Sequence, residues 1–195
     1  TPFDNSHLYN GTDRGNYTEN SFAGIAIGKN TNIQETGNPT YYSGLAIGNY
    51  AQATGGISFA LGHYAQALSP SAMALGTATK ASGFNSLAMM RQSAAEGEFS
   101  AALGTASWAK GNGSFAMGYS ATAKADQSIA IGAAETIKSP GQQHGTPSAQ
   151  YNANGNTVTE GVRSLAFGTK ARTSTAAADS MAFGSSSSTG GANAV

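Results

Sequence analysis

Cysteine is absent from the 195 residues, which excludes a disulfide scaffold and any thiolate metal site. Charge is scarce as well. Ten Lys and Arg face ten Asp and Glu, 10% of the chain with net charge +0, where roughly 25% is usual for a globular domain. No basic run gives an electrostatic reason to bind nucleic acid or an anionic membrane. No apolar run approaches the ~20 residues of a membrane span, and no leader peptide is visible at Thr1. Large core side chains are also few: the 39% of apolar residues leans on alanine, beside 26 glycines. One thick core cannot be built from them. Disorder would carry a high net charge and no apolar pattern, and here the apolar residues recur on a fixed period.

What is present is a repeat, the first thing to look for in such a composition. A pentamer of Ser, Gly or Ala, then large apolar, Ala, large apolar and Gly ends at Gly28, Gly48, Gly62, Gly76, Gly104, Gly118, Gly132, Gly168 and Gly184, with one copy ending at Met90. From Gly48 to Gly132 the spacing is fourteen residues throughout. Two before each terminal residue stands alanine: Ala46, Ala60, Ala74, Ala88, Ala102, Ala116, Ala130, Ala166 and Ala182. One before stands Ile47, Leu61, Leu75, Met89, Leu103, Met117, Ile131, Phe167 or Phe183. Three before stands Leu45, Phe59, Met73, Leu87, Ala101, Phe115, Ile129, Leu165 or Met181. Large and small residues alternate with period two, which predicts a strand with two unlike faces.

The other half of each turn predicts a second strand with a uniformly small row. That row is Ala53, Ala67, Ala81, Ala95, Ala109 and Ala123, joined by Ala51, Ala65, Thr79, Ser93, Ser107 and Ala121. Gly55, Ser69, Gly83, Gly97 and Gly111 then turn the chain back. Ten turns stacked at the strand spacing of ~4.8 Å give a rod of about 50 Å. Packing large against small predicts that the large rows fill the coil. The alanine column, with serines such as Ser58, Ser114 and Ser128, then lies outside. So small a solvent face, on a coil too thin to bury much apolar surface alone, predicts association through those alanines at a shared axis.

Strings such as Gln127-Ser128-Ile129-Ala130-Ile131-Gly132 and Gly113-Ser114-Phe115-Ala116-Met117-Gly118 resemble the head repeat of the YadA-like trimeric autotransporter adhesins, from about Phe22 to Gly184. The resemblance implies an all-β fold, a left-handed parallel β-roll of about ten ~14-residue turns, assembled as a homotrimer. It also implies display on the cell surface, outside the bacterial outer membrane. The implied partners are sister chains and host extracellular matrix proteins or cell-surface receptors, with autoaggregation. Neck, stalk and membrane anchor, which the family carries further on, are not recognisable here. Met90 in place of the turn glycine departs from the pattern and questions the uniformity of the turns.

The domain reading is an N-terminal cap over residues 1–20, the roll over 21–184, and 185–195 as its continuation or the start of a connector. About six extra residues fall near Gln34 to Thr40, and twenty-two more are placed as a loop over 139–160. Insertions in solenoids often carry binding, so Gln143, His144 and Tyr151 are candidate ligand residues. Trp108, Tyr50 and Tyr64 fall on the outer row of the second strand and are candidates too, since aromatics are enriched in binding hot spots. The alternative for Trp108 is an indole lying flat on small neighbours. No catalytic constellation is visible: His7, His63 and His144 lie far apart in sequence, and Glu96 and Glu98 flank a turn glycine. The expectation is a non-catalytic protein without cofactor or metal. A structural spacer or fibre segment remains the alternative to an adhesin.

Overall fold

The computed structural model describes residues 17–19, 24–34, 44–137 and 152–195. The chain alternates between two parallel sheets. One has ten strands, from Ile25–Ile27 to Met181–Phe183, and the other eleven, from Tyr17–Glu19 to Ser188–Thr189. Register follows the repeat: Phe59, Ala60 and Leu61 pair with Met73, Ala74 and Leu75, while Gln66 and Ala67 pair with Lys80 and Ala81. The protein is a parallel β-roll, each coil contributing one short strand to each sheet.

Two left-handed residues per coil make the corners. Tyr64 (φ 57°) and Ile57 (φ 55°) exemplify the two columns, and almost every occupant carries a side chain. That conformation costs roughly 1–2 kcal/mol per residue. It is offset by the ladder between coils, in which Tyr64 N–H donates to Asn49 C=O at 3.0 Å and Phe99 N–H to Phe84 C=O at 2.8 Å. Side chains complete it. Asn49 Oδ1 accepts from Lys29 N–H (3.0 Å), Asn112 Oδ1 from Glu98 N–H (3.0 Å) and Asp126 Oδ1 from Asn112 N–H (2.8 Å). The terminal glycine is required by closeness as well as conformation. Gly62 sits at φ 133°, and a Cβ there would lie 2.4 Å from the Gly76 carbonyl oxygen. Met90 occupies this column at φ 80°, and its N–H still donates to Leu75 C=O at 2.9 Å. The ladder runs through the departure.

The facing of the ten-stranded sheet is the reverse of the sequence expectation. Ala46, Ala60, Ala74, Ala88, Ala102, Ala116, Ala130, Ala166 and Ala182 are at most 1% exposed within a single chain. They line the inside of the coil and cannot line an axis between chains. Ser58, Ser114 and Ser128 are buried beside them, opposite Ala53, Ala67 and the other small residues of the second sheet. The large rows point outward. The reason is steric: two strands of two to four residues joined by tight corners enclose a bore that admits methyl and hydroxymethyl groups. Ile33 is the largest fully buried side chain among the described residues.

The long interruption is also placed differently. Thr122 pairs with Val158 and Ala123 with Thr159, so the regular coil resumes at Thr157 and the extra residues are 135–156, not 139–160. Glu135–Ile137 and Asn152–Asn154 form an antiparallel stem, and its connection lies outside the described residues. A shorter break, unnoticed in the sequence, separates Gly168 from Gly184. Leu165 pairs with Met181 and Arg172 with Ser188, sixteen residues apart instead of fourteen. Of the expected cap, Tyr17–Glu19 is the first strand of the eleven-stranded sheet, Tyr17 opposite Asn32; the remainder lies outside the described residues. At the other end Ser188–Thr189 pairs with Arg172–Thr173, and Met181 N–H donates to Ala194 C=O at 2.7 Å.

Candidate functional site

The outward rows of the ten-stranded sheet form one apolar surface running the length of the roll. Ile25 (45% exposed), Leu61 (47%), Met117 (47%) and Phe183 (68%) lie on it, with Phe59, Met73, Met89, Ile129, Phe167 and Met181 between. Half-buried Leu45, Ile47, Leu87, Leu103 and Phe115 fill the gaps. Phe167 and Phe183 stack across adjacent coils at 5.1 Å. Contiguous apolar patches beyond a few hundred Å² are rare on monomers and mark interaction sites.

The opposite, eleven-stranded sheet presents a polar surface with one aromatic feature. Gln66 Nε2 donates to Gln52 Oε1 at 3.4 Å across two coils. Further along, Lys80, Ala94 and Trp108 stand in register on consecutive strands. Glu96 ties them together: its Oε2 accepts from Trp108 Nε1 at 3.1 Å and its Oε1 from Lys80 Nζ at 3.4 Å. Lys110 Nζ lies 5.5 Å from the centre of the indole. Trp108 is exposed, as its place in the repeat predicts, and its ring is held at the edge. Ala94, half-buried, stands between Lys80 and Trp108 in the sheet register. Thr122, expected in the same solvated row, is instead buried, as is Val158 beside it, at the level where the hairpin leaves the roll.

Two further aromatic groups sit at the corners. Tyr50 and Tyr64 are stacked at 4.7 Å with rings 5° from parallel, and His63 meets Tyr64 edge-on at 4.4 Å. At the other corner Phe84 and Phe99 meet edge-to-face at 5.6 Å, both exposed. The hairpin base carries ion pairs between Lys170 and Glu135 (2.7 Å) and between Lys124 and Glu160 (2.5 Å). The hydrogen bond and charge of Lys170 hold the Glu135 carboxyl below its ordinary pKa. Arg163 grips Asp179 with two bonds of 2.6 and 2.7 Å, lowering the Asp179 pKa and raising that of Arg163.

The structure thus brings Tyr50 and Tyr64 together and leaves Trp108 apart, within a cluster that sequence reading missed. Gln143, His144 and Tyr151 lie outside the described residues. Glu96 was legible in principle, since it precedes Trp108 by twelve residues, one coil less two, which puts both on the same outward face. Phe84 and Phe99 sit at the corner in neighbouring coils, fifteen residues apart and so in adjacent columns, a pairing that the fourteen-residue period does not display. Among the described residues no three His, Asp or Glu side chains converge as a metal site would require.

A single fourteen-residue unit stacked in register, narrow inside and apolar along one outer side, defines a repetitive β-roll protein. A family model of the YadA head domain repeat matches residues 42–65, 67–89, 95–120, 109–134 and 160–187, more than half of the chain. The chain belongs to that family and is head-domain sequence of the YadA-like trimeric autotransporter adhesin type. No curated protein matches it.

Proposed function

We propose that this chain is the head of a bacterial surface adhesin that assembles as a homotrimer and attaches the cell to host extracellular matrix proteins or cell-surface receptors, with self-aggregation of the cells as a second consequence. The observation that carries the assembly is the unbroken apolar surface of the ten-stranded sheet. A second copy is the occupant that matches it along its whole length, because each copy offers the same flat surface with the same coil spacing. Three such surfaces meeting at an axis bury Leu61, Phe115 and their neighbours and leave the eleven-stranded sheets facing outward. Adhesion then belongs to the eleven-stranded sheets, the corners and the hairpin, and the role is binding rather than catalysis. Family membership supports display outside the bacterial outer membrane.

Light scattering on the purified protein tests assembly: a mass of three chains is expected, and a stable monomer at micromolar concentration overturns it. Solid-phase binding to collagen, fibronectin, laminin and epithelial cells tests adhesion. Saturable binding to one of them is expected. Absence of binding to all, with no cell aggregation, leaves a spacer that projects another domain.

A further inference from the structure

We propose that the Trp108 cluster on the eleven-stranded sheet is a glycan-binding platform, taking a pyranose ring on the indole and an acidic substituent, carboxylate or sulfate, beside Lys110. As a choice of receptor class the proposal rests on the adhesin reading; as a binding site it stands on this cluster alone. The first observation is preorganisation. An exposed tryptophan on a strand would ordinarily sample several rotamers, but here Glu96 accepts from Nε1 at 3.1 Å and is itself held by Lys80 at 3.4 Å. Ala94 stands directly between Lys80 and Trp108 in the sheet register, so only a methyl group rises there. The result is a ring-sized apolar plate, partly open to solvent, with hydrogen-bonding groups at its rim. A pyranose presents the complementary pattern, an apolar face of C–H groups with hydroxyls around its edge. Glu96 has acceptor capacity for those hydroxyls and Lys80 has donor capacity.

The second observation is charge. Among the described residues Lys80, Lys124, Arg163 and Lys170 are paired with carboxylates. Lys110 is not: its ammonium group lies over the indole, 5.5 Å from the ring centre in a cation–π contact, and a sugar takes that face by displacing the flexible Lys110 side chain to its rim. Lys80 and Lys110 against Glu96 leave the cluster with one positive charge in excess. An anionic group on the sugar would meet Lys110 in a charge-assisted contact while its ring lies on Trp108. A protein partner suits the surroundings less well. Hot spots of protein interfaces are ringed by contiguous contacts that exclude water, whereas the exposed or half-buried side chains around this indole include the charged Lys80, Glu96, Lys110 and Lys124.

Trp108 is the single tryptophan of the chain, so its emission reports directly on the site. Wild-type protein would be titrated with sialyllactose, a heparin-derived disaccharide and lactose while tryptophan emission is followed. A saturable change with one of the two acidic probes, and weaker binding of lactose, is expected; which acidic probe binds separates carboxylate from sulfate. Lys110→Ala should weaken the acidic probe by about tenfold, the scale of one charge-assisted contact, with the circular dichroism of the roll unchanged. Glu96→Gln, which keeps an acceptor for the indole N–H and removes the one negative charge of the cluster, should leave lactose binding little changed and tighten the acidic probe. No emission change with any of the three probes overturns the proposal. So does loss of binding to a glycan-free matrix protein in Trp108→Ala, which makes the indole a protein contact. Glycan binding by the purified protein without attachment to any cell or matrix sustains the platform and overturns the adhesin reading. Attachment without any emission change does the reverse.

Discussion

At the scale of the residue, the roll discriminates between positions that look alike in sequence. Ser100 Oγ donates to Gly97 C=O at 2.6 Å, while Ser58, Ser86 and Ser114, in the same buried column, have no hydrogen-bond partner for Oγ. Ser100→Ala should therefore cost about 1 kcal/mol, and Ser114→Ala should be neutral or slightly stabilising, because it removes a buried hydroxyl that satisfies nothing. Denaturant midpoints of the two variants would order them. The terminal column makes a second contrast. Gly62→Ala places a methyl group 2.4 Å from a backbone oxygen in a conformation disfavoured for side chains, and a loss of about 3 kcal/mol is expected. Met90→Gly relaxes a residue at φ 80° and should gain about 1 kcal/mol, read as a rise in melting temperature.

At the scale of the element, the decisive question was which face of each strand turns inward. Period and register were legible in the spacing of the glycines, but alternation alone says only that the two faces differ. The better clue was volume. Positions 46, 60, 74 and their successors hold alanine without exception, while positions 45, 59, 73, 87 and 101 range over Leu, Phe, Met and Ala. A closed interior fixes volume tightly; a face packed against another copy leaves room for variety. The same test separates two substitutions. Ala116→Glu forces a carboxylate into the bore and should unfold the coil, abolishing its circular dichroism. Phe115→Glu, one residue away on the outer face, should leave the coil folded and prevent association, so that light scattering reports a single chain. Intact trimers of Phe115→Glu would remove the ten-stranded sheet as the interface. The Trp108 cluster was only half legible, since the column arithmetic places Glu96 nearby but not the bond between them. Side chains from different coils meet through reach and rotamer, which a one-dimensional pattern does not carry.

At the scale of the molecule, coils are independent enough to be edited. Joining Ala134 directly to Thr157 removes residues 135–156 and restores the fourteen-residue step between Gly132 and Gly168. The shortened protein should keep its sheet content and its oligomeric mass; collapse of either would make the hairpin part of the scaffold. Acid should act through exposed pairs. The lowered pKa values of Glu135 and Asp179 mean that their contribution is present above the ordinary carboxylate range, near ~4, and is lost as pH falls through the lower folded values. Both are exposed, so the effect is small and screened by salt, and Asp179→Asn should flatten the acid limb of the stability profile measured at low ionic strength. The ladder of identical coils has a metric consequence. Duplicating one fourteen-residue block between Gly48 and Gly132 adds a storey without altering any contact made by the others, so reach becomes a quantity counted in gene segments, each worth one inter-strand step of about 4.8 Å.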